Sequence, residues 1–264
     1  MIYRNELLKV KVENYVAVVS LSNPPLNILT LGMSAEMRET FHKLEEDPEV
    51  HVVVLRGEGE KAFCVGADIK EFPQVWDDVI GKKLLNENLA VDAIELLDKP
   101  VIAALEGNVL GGGCEIAMAC DIRFMSETGR IGLPEINLGV FPGSGGLFRL
   151  ARYVGVSKAY EMLYTGKIID ANEALTIGLV NHVVPAGTTE SEAVKLAEVI
   201  ASKPFEAIKL IKKGVRDLWQ KTTEENFRPN LAFSRTVFQT PDCAEGVDAF
   251  IHKRAPKFGQ TTKD

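Results

Sequence analysis

The 264-residue chain is poor in the features that would staple, anchor or metallate it. Its four cysteines, Cys64, Cys114, Cys120 and Cys243, form no C-x-x-C pair and no even spacing. That excludes a disulfide framework and a cysteine zinc site, and reads as free thiols in a reducing compartment. The four histidines, His42, His51, His182 and His252, lie in no metal-ligand spacing, so no metal is expected. No run approaches the roughly 18 apolar residues that a membrane-spanning helix needs. The opening MIYRNELLKV has neither the apolar centre of a signal peptide nor the Arg- and Ser-rich character of a transit peptide. The cytoplasm is the expected compartment. A basic excess is missing too: 30 Lys and Arg stand against 37 Asp and Glu, a net charge of −7. Nucleic acid and membrane surfaces are therefore not expected partners. The stretch Ile208–Arg216 is only locally basic and reads as a solvated helix face. Aromatics are scarce at 7% while glycine reaches 22 residues, which favours close backbone approaches over ring stacking.

What is present reads as a soluble α/β protein with enough chain to bury a full core. Lys9–Glu13 and Val16–Leu21 are two short strands around Asn14-Tyr15, a hairpin. SNPPLN is an irregular turn, and Ser34 is placed to cap a helix over Ala35–Glu46. The apolar run His51–Gly57 is a strand buried on both faces, so strand, helix and strand form a right-handed crossover. Pro100–Gly107 is another strand, and a further one starts at Asp121. Between them, Phe72–Asp98 is helical in pattern. Phe72, Val75, Trp76 and Leu84-Leu85 there are candidates either for an apolar ligand pocket or for ordinary helix packing. Helical patterns follow at Gly146–Tyr153 and Lys158–Thr165, and again almost continuously from Glu190, as in EAIKLIKKGVRDLW (Glu206–Trp219). The expected organisation is an α/β core over 1–190 and a helical region over 191–264.

The glycine clusters do not make nucleotide sites. Gly143-Ser144-Gly145 and Gly111-Gly112-Gly113 have Phe148 and Ile116 where a dinucleotide fingerprint needs glycine, and Gly166-Lys167 lacks the rest of a P-loop. The surroundings of Ser144 approach G-x-S-x-G, but Pro142 replaces the first glycine.

Three segments survive: KAFCVGADIKEF (Lys61–Phe72), ALEGNVLGGGCEIAM (Ala104–Met118) and IGLPEINLGVFPGSGG (Ile131–Gly146). In the first, Gly66-Ala67-Asp68 can turn consecutive N–H groups outward. In the second, a glycine turn leads into a helix whose first N–H groups are unpaired and whose dipole is positive at that end. Donors from two such segments, converging on one point, would form an oxyanion hole. Glu115 and Glu135 each stand in an apolar, Gly- or Pro-bracketed setting where a raised pKa is expected. Either acid taken alone reads as readily as a solvated carboxylate.

These segments, in this order and spacing, together with AFIHKRAPKF near the end, resemble the enoyl-CoA hydratase/isomerase (crotonase) family from about Leu8 to about Phe258. The resemblance implies a crotonase-like spiral of ββα units with a helical C-terminal trimerisation region, and a homo-oligomer that is a trimer or a dimer of trimers. It implies that the N–H groups of Ala67 and Gly112 hold a thioester carbonyl and that Glu115 and Glu135 are the catalytic acids of a hydratase. In that chemistry one carboxylate deprotonates a water that adds at Cβ while the other delivers a proton to Cα, here Glu115 and Glu135 respectively. The acyl-CoA substrate is expected along Lys61, Ala67, Asp68, Ile69, Lys70 and Gly112, with Phe250 and Lys253 reaching the CoA of a neighbouring subunit. No cofactor is implied, because coenzyme A is part of the substrate. Leu147-Phe148 in place of the family's more usual Thr-Gln, and SNPPLNIL at the first turn, are departures that bear on which acyl group is bound. A dehydratase, isomerase or C–C hydrolase on the same fold, or a non-catalytic CoA-ester binder, remain alternatives at this stage.

Overall fold

The structure, a computed structural model, describes Tyr3, residues 5–217 and residues 222–259. Its first strands, β1 (Leu8–Glu13) and β2 (Val16–Leu21), form the expected antiparallel hairpin, with Leu8 opposite Leu21. Asn14 and Tyr15 turn the chain at positive φ, 50° and 63°, as a two-residue hairpin requires. The crossover helix α1 (Leu31–Glu46) starts earlier than expected. Its cap is Thr30, whose extended backbone lets Oγ1 accept from the Met33 N–H at 3.1 Å. Ser34 is instead buried inside the first turn, its hydroxyl donating back to the Thr30 carbonyl.

The chain then alternates between two sheets. β3 (Val52–Gly57) leads into β4 (Ala62–Cys64), β5 (Val101–Leu105) into β6 (Asn108–Leu110), and β7 (Ile122–Ser126) into β8 (Arg130–Gly132). Strands β9 (Ile168–Asp170) and β10 (His182–Val184) complete sheets of order β1-β2-β3-β5-β7-β10 and β4-β6-β8-β9. All pairings are parallel except β1 with β2 and β8 with β9. Helices follow each pair. Phe72–Asp98 is less regular than its pattern suggests: α2 (Phe72–Val75), a π-helical turn over Ile80–Leu84, then α3 (Leu85–Glu95). After β6 comes α4 (Gly112–Ala119). After β8 come α5 (Gly146–Val154) and α6 (Val156–Thr165), and α7 (Ala171–Thr176) precedes β10. This is the expected spiral of ββα units.

The continuous apolar runs are explained by burial on both faces of the larger sheet. Val53, Leu55, Val101, Ala103 and Leu105 face the main core with Met33, Met37 and Phe41 of α1 and Ile94 of α3. Val52, Val54, Ile102, Ala104 and Phe124 face α8 (Thr189–Ala201), whose Ala193 and Ala197, one turn apart, are fully buried against them. That helix straddles the division expected at residue 190.

Beyond it lie α9 (Phe205–Asp217), α10 (Thr223–Phe238) and α11 (Pro241–Ile251). Leu218 and Trp219, at the end of the helical pattern read from sequence, lie outside the described residues. The basic stretch Ile208–Arg216 is not simply a solvated face. Lys212 is buried, its Nζ donating to the Lys99 carbonyl at 2.9 Å and pairing with Asp121 at 2.9 Å. Lys99, also buried, donates in turn to the carbonyls of Leu44 and Asp47. Lys212 thereby clamps α9 to the rim of the sheet and Lys99 ties the residues before β5 to the end of α1, each buried ammonium being held by the oxygens that its donors reach.

Candidate active site

The first two segments singled out in the sequence leave neighbouring strands of the smaller sheet and meet. After β4, Gly66 takes φ +90°, and an isolated bridge joins Leu29 to Ala67. That bridge uses the Gly66 carbonyl, which accepts from Leu29, and the Asp68 N–H, which donates to Leu29. The Ala67 N–H therefore points the other way, with no acceptor among the described residues. After β6, the N–H groups of Cys114 and Glu115 turn back to the Gly111 carbonyl, at 2.8 and 3.0 Å. Gly112 opens α4, where an N–H has no intrahelical acceptor. The two donors are adjacent: a methyl group on Gly66 would stand 3.0 Å from the Gly112 nitrogen, and one on Gly112 would stand 3.8 Å from the Ala67 nitrogen. The close fit extends to Gly113, where a Cβ would lie 2.1 Å from the Cys64 carbonyl oxygen. Only glycine lets α4 seat against β4 there.

Both acids come to the same place. Glu115 is 3% exposed, and its Oε1 accepts from the backbone N–H groups of Ser144 and Gly146, each at 2.8 Å. Oε2 accepts no bond among the described residues and is the oxygen that keeps contact with solvent. Burial raises the Glu115 carboxyl to about 7; the charge of Glu135 pushes the same way, against the two N–H donors. Any proton must then sit on Oε2, since Oε1 is already occupied by two donors. Glu135 opens a short 3₁₀ turn (Glu135–Leu138) behind Pro134. Its Oε1 lies 3.2 Å from where a Cβ on Gly111 would be, and its Oε2 is buried with no partner. Burial raises this carboxyl as well. A buried carboxyl oxygen without a partner is costly unless something else meets it.

Of the other residues read from sequence, Asp68 has an assignment inside the fold. Its Oδ1 caps the 3₁₀ turn Ile69–Glu71 by accepting from Lys70 at 3.0 Å. Ile69, Lys70 and Lys61 are exposed nearby in sequence. Phe250, 85% exposed on α11, and Lys253, at φ +54° just beyond it, make no hydrogen bond or ion pair with the four central residues. The apolar candidates divide: Val75 is buried, Leu84 packs over Gly143, and Trp76 and Leu85 are exposed. Ser144 is no exposed nucleophile; it is buried. Burial raises the thiols of Cys64 and Cys120 to about 12 and lifts that of Cys114 as well.

Sequence reasoning passed over the clamp around Ser144. Arg149, buried on α5, donates Nη1 to the Ser144 carbonyl at 2.9 Å and pairs with Asp92 and Glu95 of α3. The Ser144 hydroxyl faces Glu87, which pairs with a fully buried Lys83. The signal available for the last pair was an i, i+4 Lys–Glu spacing inside an apolar helix face. Among the described residues no group of three or more His, Cys, Asp or Glu side chains comes together as a metal site, and no helix is long and apolar enough to cross a membrane.

A converging pair of backbone donors with two carboxyls of raised pKa beside it has the chemistry suited to polarising a carbonyl and moving protons at the adjacent carbons, set on a ββα spiral. The family model for enoyl-CoA hydratase/isomerase matches residues 11–261, and the chain belongs to that family. It is 41% identical to the short-chain-enoyl-CoA hydratase of Clostridium acetobutylicum, over 92% of this chain and 93% of that protein. It is 39% identical to a mitochondrial enoyl-CoA hydratase of Pongo abelii, over 93% of this chain and 84% of that one. The crystal structure of enoyl-CoA hydratase from Bacillus anthracis superposes with a TM-score of 0.92 at 36% identity, covering 96% of this chain and 99% of the other.

Proposed function

We propose that the protein is an enoyl-CoA hydratase, a hydro-lyase that adds water reversibly across the double bond of a 2-enoyl-CoA to give a 3-hydroxyacyl-CoA. One observation carries the reading: the uncommitted N–H groups of Ala67 and Gly112 lie side by side at a site that also holds Glu115 and Glu135. The donors accept the charge that gathers on the thioester oxygen when Cβ is attacked, and losing one such donor costs about 3–4 kcal/mol of transition-state stabilisation. Glu115 works through Oε2. It orients a water and takes one of its protons as the remaining hydroxide adds at Cβ. Glu135, holding a proton, delivers it to Cα, and exchange with solvent returns both carboxyls to their starting states. Lys61, Ile69 and Lys70 lie along the CoA moiety beside the Ala67 turn, and Phe250 and Lys253 reach the CoA of a neighbouring subunit in a trimer or a dimer of trimers. The reaction needs no cofactor beyond the CoA of its substrate, and the compartment is the cytoplasm.

The test follows the ultraviolet absorbance of the conjugated thioester of crotonyl-CoA. Hydration by the wild-type chain should fall about 10²–10⁴-fold in kcat in both Glu115→Gln and Glu135→Gln. Wild-type rates in both variants would refute the assignment.

A further inference from the structure

Every polar group of Ser144 is in use, and each leads to a different charged residue. Its N–H donates to Glu115 Oε1 at 2.8 Å, its carbonyl accepts from Arg149 at 2.9 Å, and its hydroxyl faces Glu87 Oε2 at 3.3 Å. Glu87, on α3, is itself buried. Its counter-ion Lys83 comes from the π-helical turn, fully buried, at 3.1 Å from Glu87 Oε1 and 2.9 Å from Glu71 Oε2. The Glu87 contact has ion-pair distance without hydrogen-bond alignment, so Oε1 is left with no hydrogen bond. Glu71 has other donors as well: both its oxygens accept from the Leu31 N–H at the start of α1, at 3.2 Å. Lys83 is thus shared, and Glu87 is the less fully satisfied of the two acids. The charged and titratable groups around Glu87 are Lys83, Glu71, Glu115 and Cys64, with Arg149 one link away through Ser144.

We propose that Glu87, with Lys83 as its counter-ion, is a positioning residue that acts on Glu115 through Ser144. The link is mechanical, because the hydroxyl contact fixes the peptide whose N–H grips Glu115. It is also electrostatic, because a second carboxylate in a buried site opposes ionisation of the first. Burial raises the Glu87 carboxyl, while Lys83 works in the opposite direction; the charge of Glu87 is one of the influences that hold the Glu115 proton near neutrality. A π-helical turn supplies Lys83, and such turns are frequent where a helix is bent to place a functional side chain.

This inference rests on the hydratase reading only in its kinetic arm. The direct arm is carboxyl NMR of unliganded protein labelled with ¹³C-glutamate, the Glu115 signal being assigned by its loss in Glu115→Gln. Glu87→Gln keeps the side-chain volume and leaves Lys83 paired with Glu71. The Glu115 midpoint should fall by about half a unit to one unit in Glu87→Gln and stay near wild type in Glu87→Asp, which keeps the charge. Ser144→Ala, which preserves the N–H on Glu115 but frees the peptide that carries it, should instead raise the midpoint, because a loosened donor holds the carboxylate less firmly. The acid limb of the kcat–pH profile with crotonyl-CoA should move with it. An unchanged midpoint in both Glu87→Gln and Ser144→Ala overturns the proposal; if only one variant folds, its midpoint decides. A wild-type chain that fails to hydrate crotonyl-CoA would remove the functional reading while the NMR midpoints still decide for or against Glu87.

Discussion

Glu115 is the residue at which sequence and environment pull hardest in opposite directions. An acid among Cys114, Ile116, Ala117 and Met118 is costly to bury, and the fold answers with two backbone donors on a single oxygen. The balance leaves its folded pKa at about 7 against an ordinary glutamate value of 4.5. Between those values the folded chain binds a proton that the unfolded chain has released. The proton-linked contribution to stability is therefore fully present below about pH 4.5 and lost as pH rises through 7, amounting to about 3 kcal/mol at most. Glu115→Gln, whose amide oxygen can accept the same two N–H groups, escapes this loss. Thermal unfolding should show the variant gaining on wild type from pH 5 to pH 8; a constant difference across that range would contradict the account. The sign also fixes the kinetics. If Oε2 takes a proton from water, kcat/KM declines as pH falls through the midpoint of Glu115.

Among the elements, the long strands and helices were legible because their patterns repeat. The apolar run His51–Gly57 and the two short strands around Asn14-Tyr15 announced burial on two faces and a hairpin, and both are there. Strands β4, β6, β8, β9 and β10 have three residues each, too few for any period to register. So the smaller sheet, which carries the oxyanion segments, went unread as a sheet although its loops were singled out. The start of α1 was misplaced because Gly32 interrupts the helical pattern and Ser34 has the right chemistry for a cap. Backbone geometry decides otherwise: Thr30 is extended and its hydroxyl meets Met33. Thr30→Ala should therefore cost about 1 kcal/mol in denaturant unfolding, and Ser34→Ala distinctly less. Equal losses would restore the sequence reading. The three segments and the two acids Glu115 and Glu135 were singled out from local chemistry, and the choice of Ala67 and Gly112 came with the family resemblance, whereas Lys83, Glu87 and Arg149 were not singled out at all. Their roles depend on α3, α5 and the Ser144 loop coming together, which no local pattern encodes.

Taken whole, the molecule places large apolar side chains outward on its last helices. Phe227 and Phe238 of α10 and Phe250 and Ile251 of α11 are all more than half exposed, Phe238 by 77%. Such a surface is stable in water when another surface covers it, which supports the trimeric reading. Light scattering on a sizing column should return three or six times the 29.0 kDa chain mass, and Phe238→Asp should lower it. A wild-type monomer at micromolar concentration would contradict the trimer. The donors proposed to hold the carbonyl depend on something more rigid than any of these side chains. They leave β4 and β6, adjacent parallel strands of one ladder, so the gap between them is a calliper set by inter-strand spacing, about 4.8 Å. Everything that would face an acyl group can be exchanged without altering that gauge, so a family of catalysts can diversify its substrates while its reference length stays fixed. Inserting one residue between Cys64 and Ala67 would spoil the gauge outright, however well the rest of the molecule still folded.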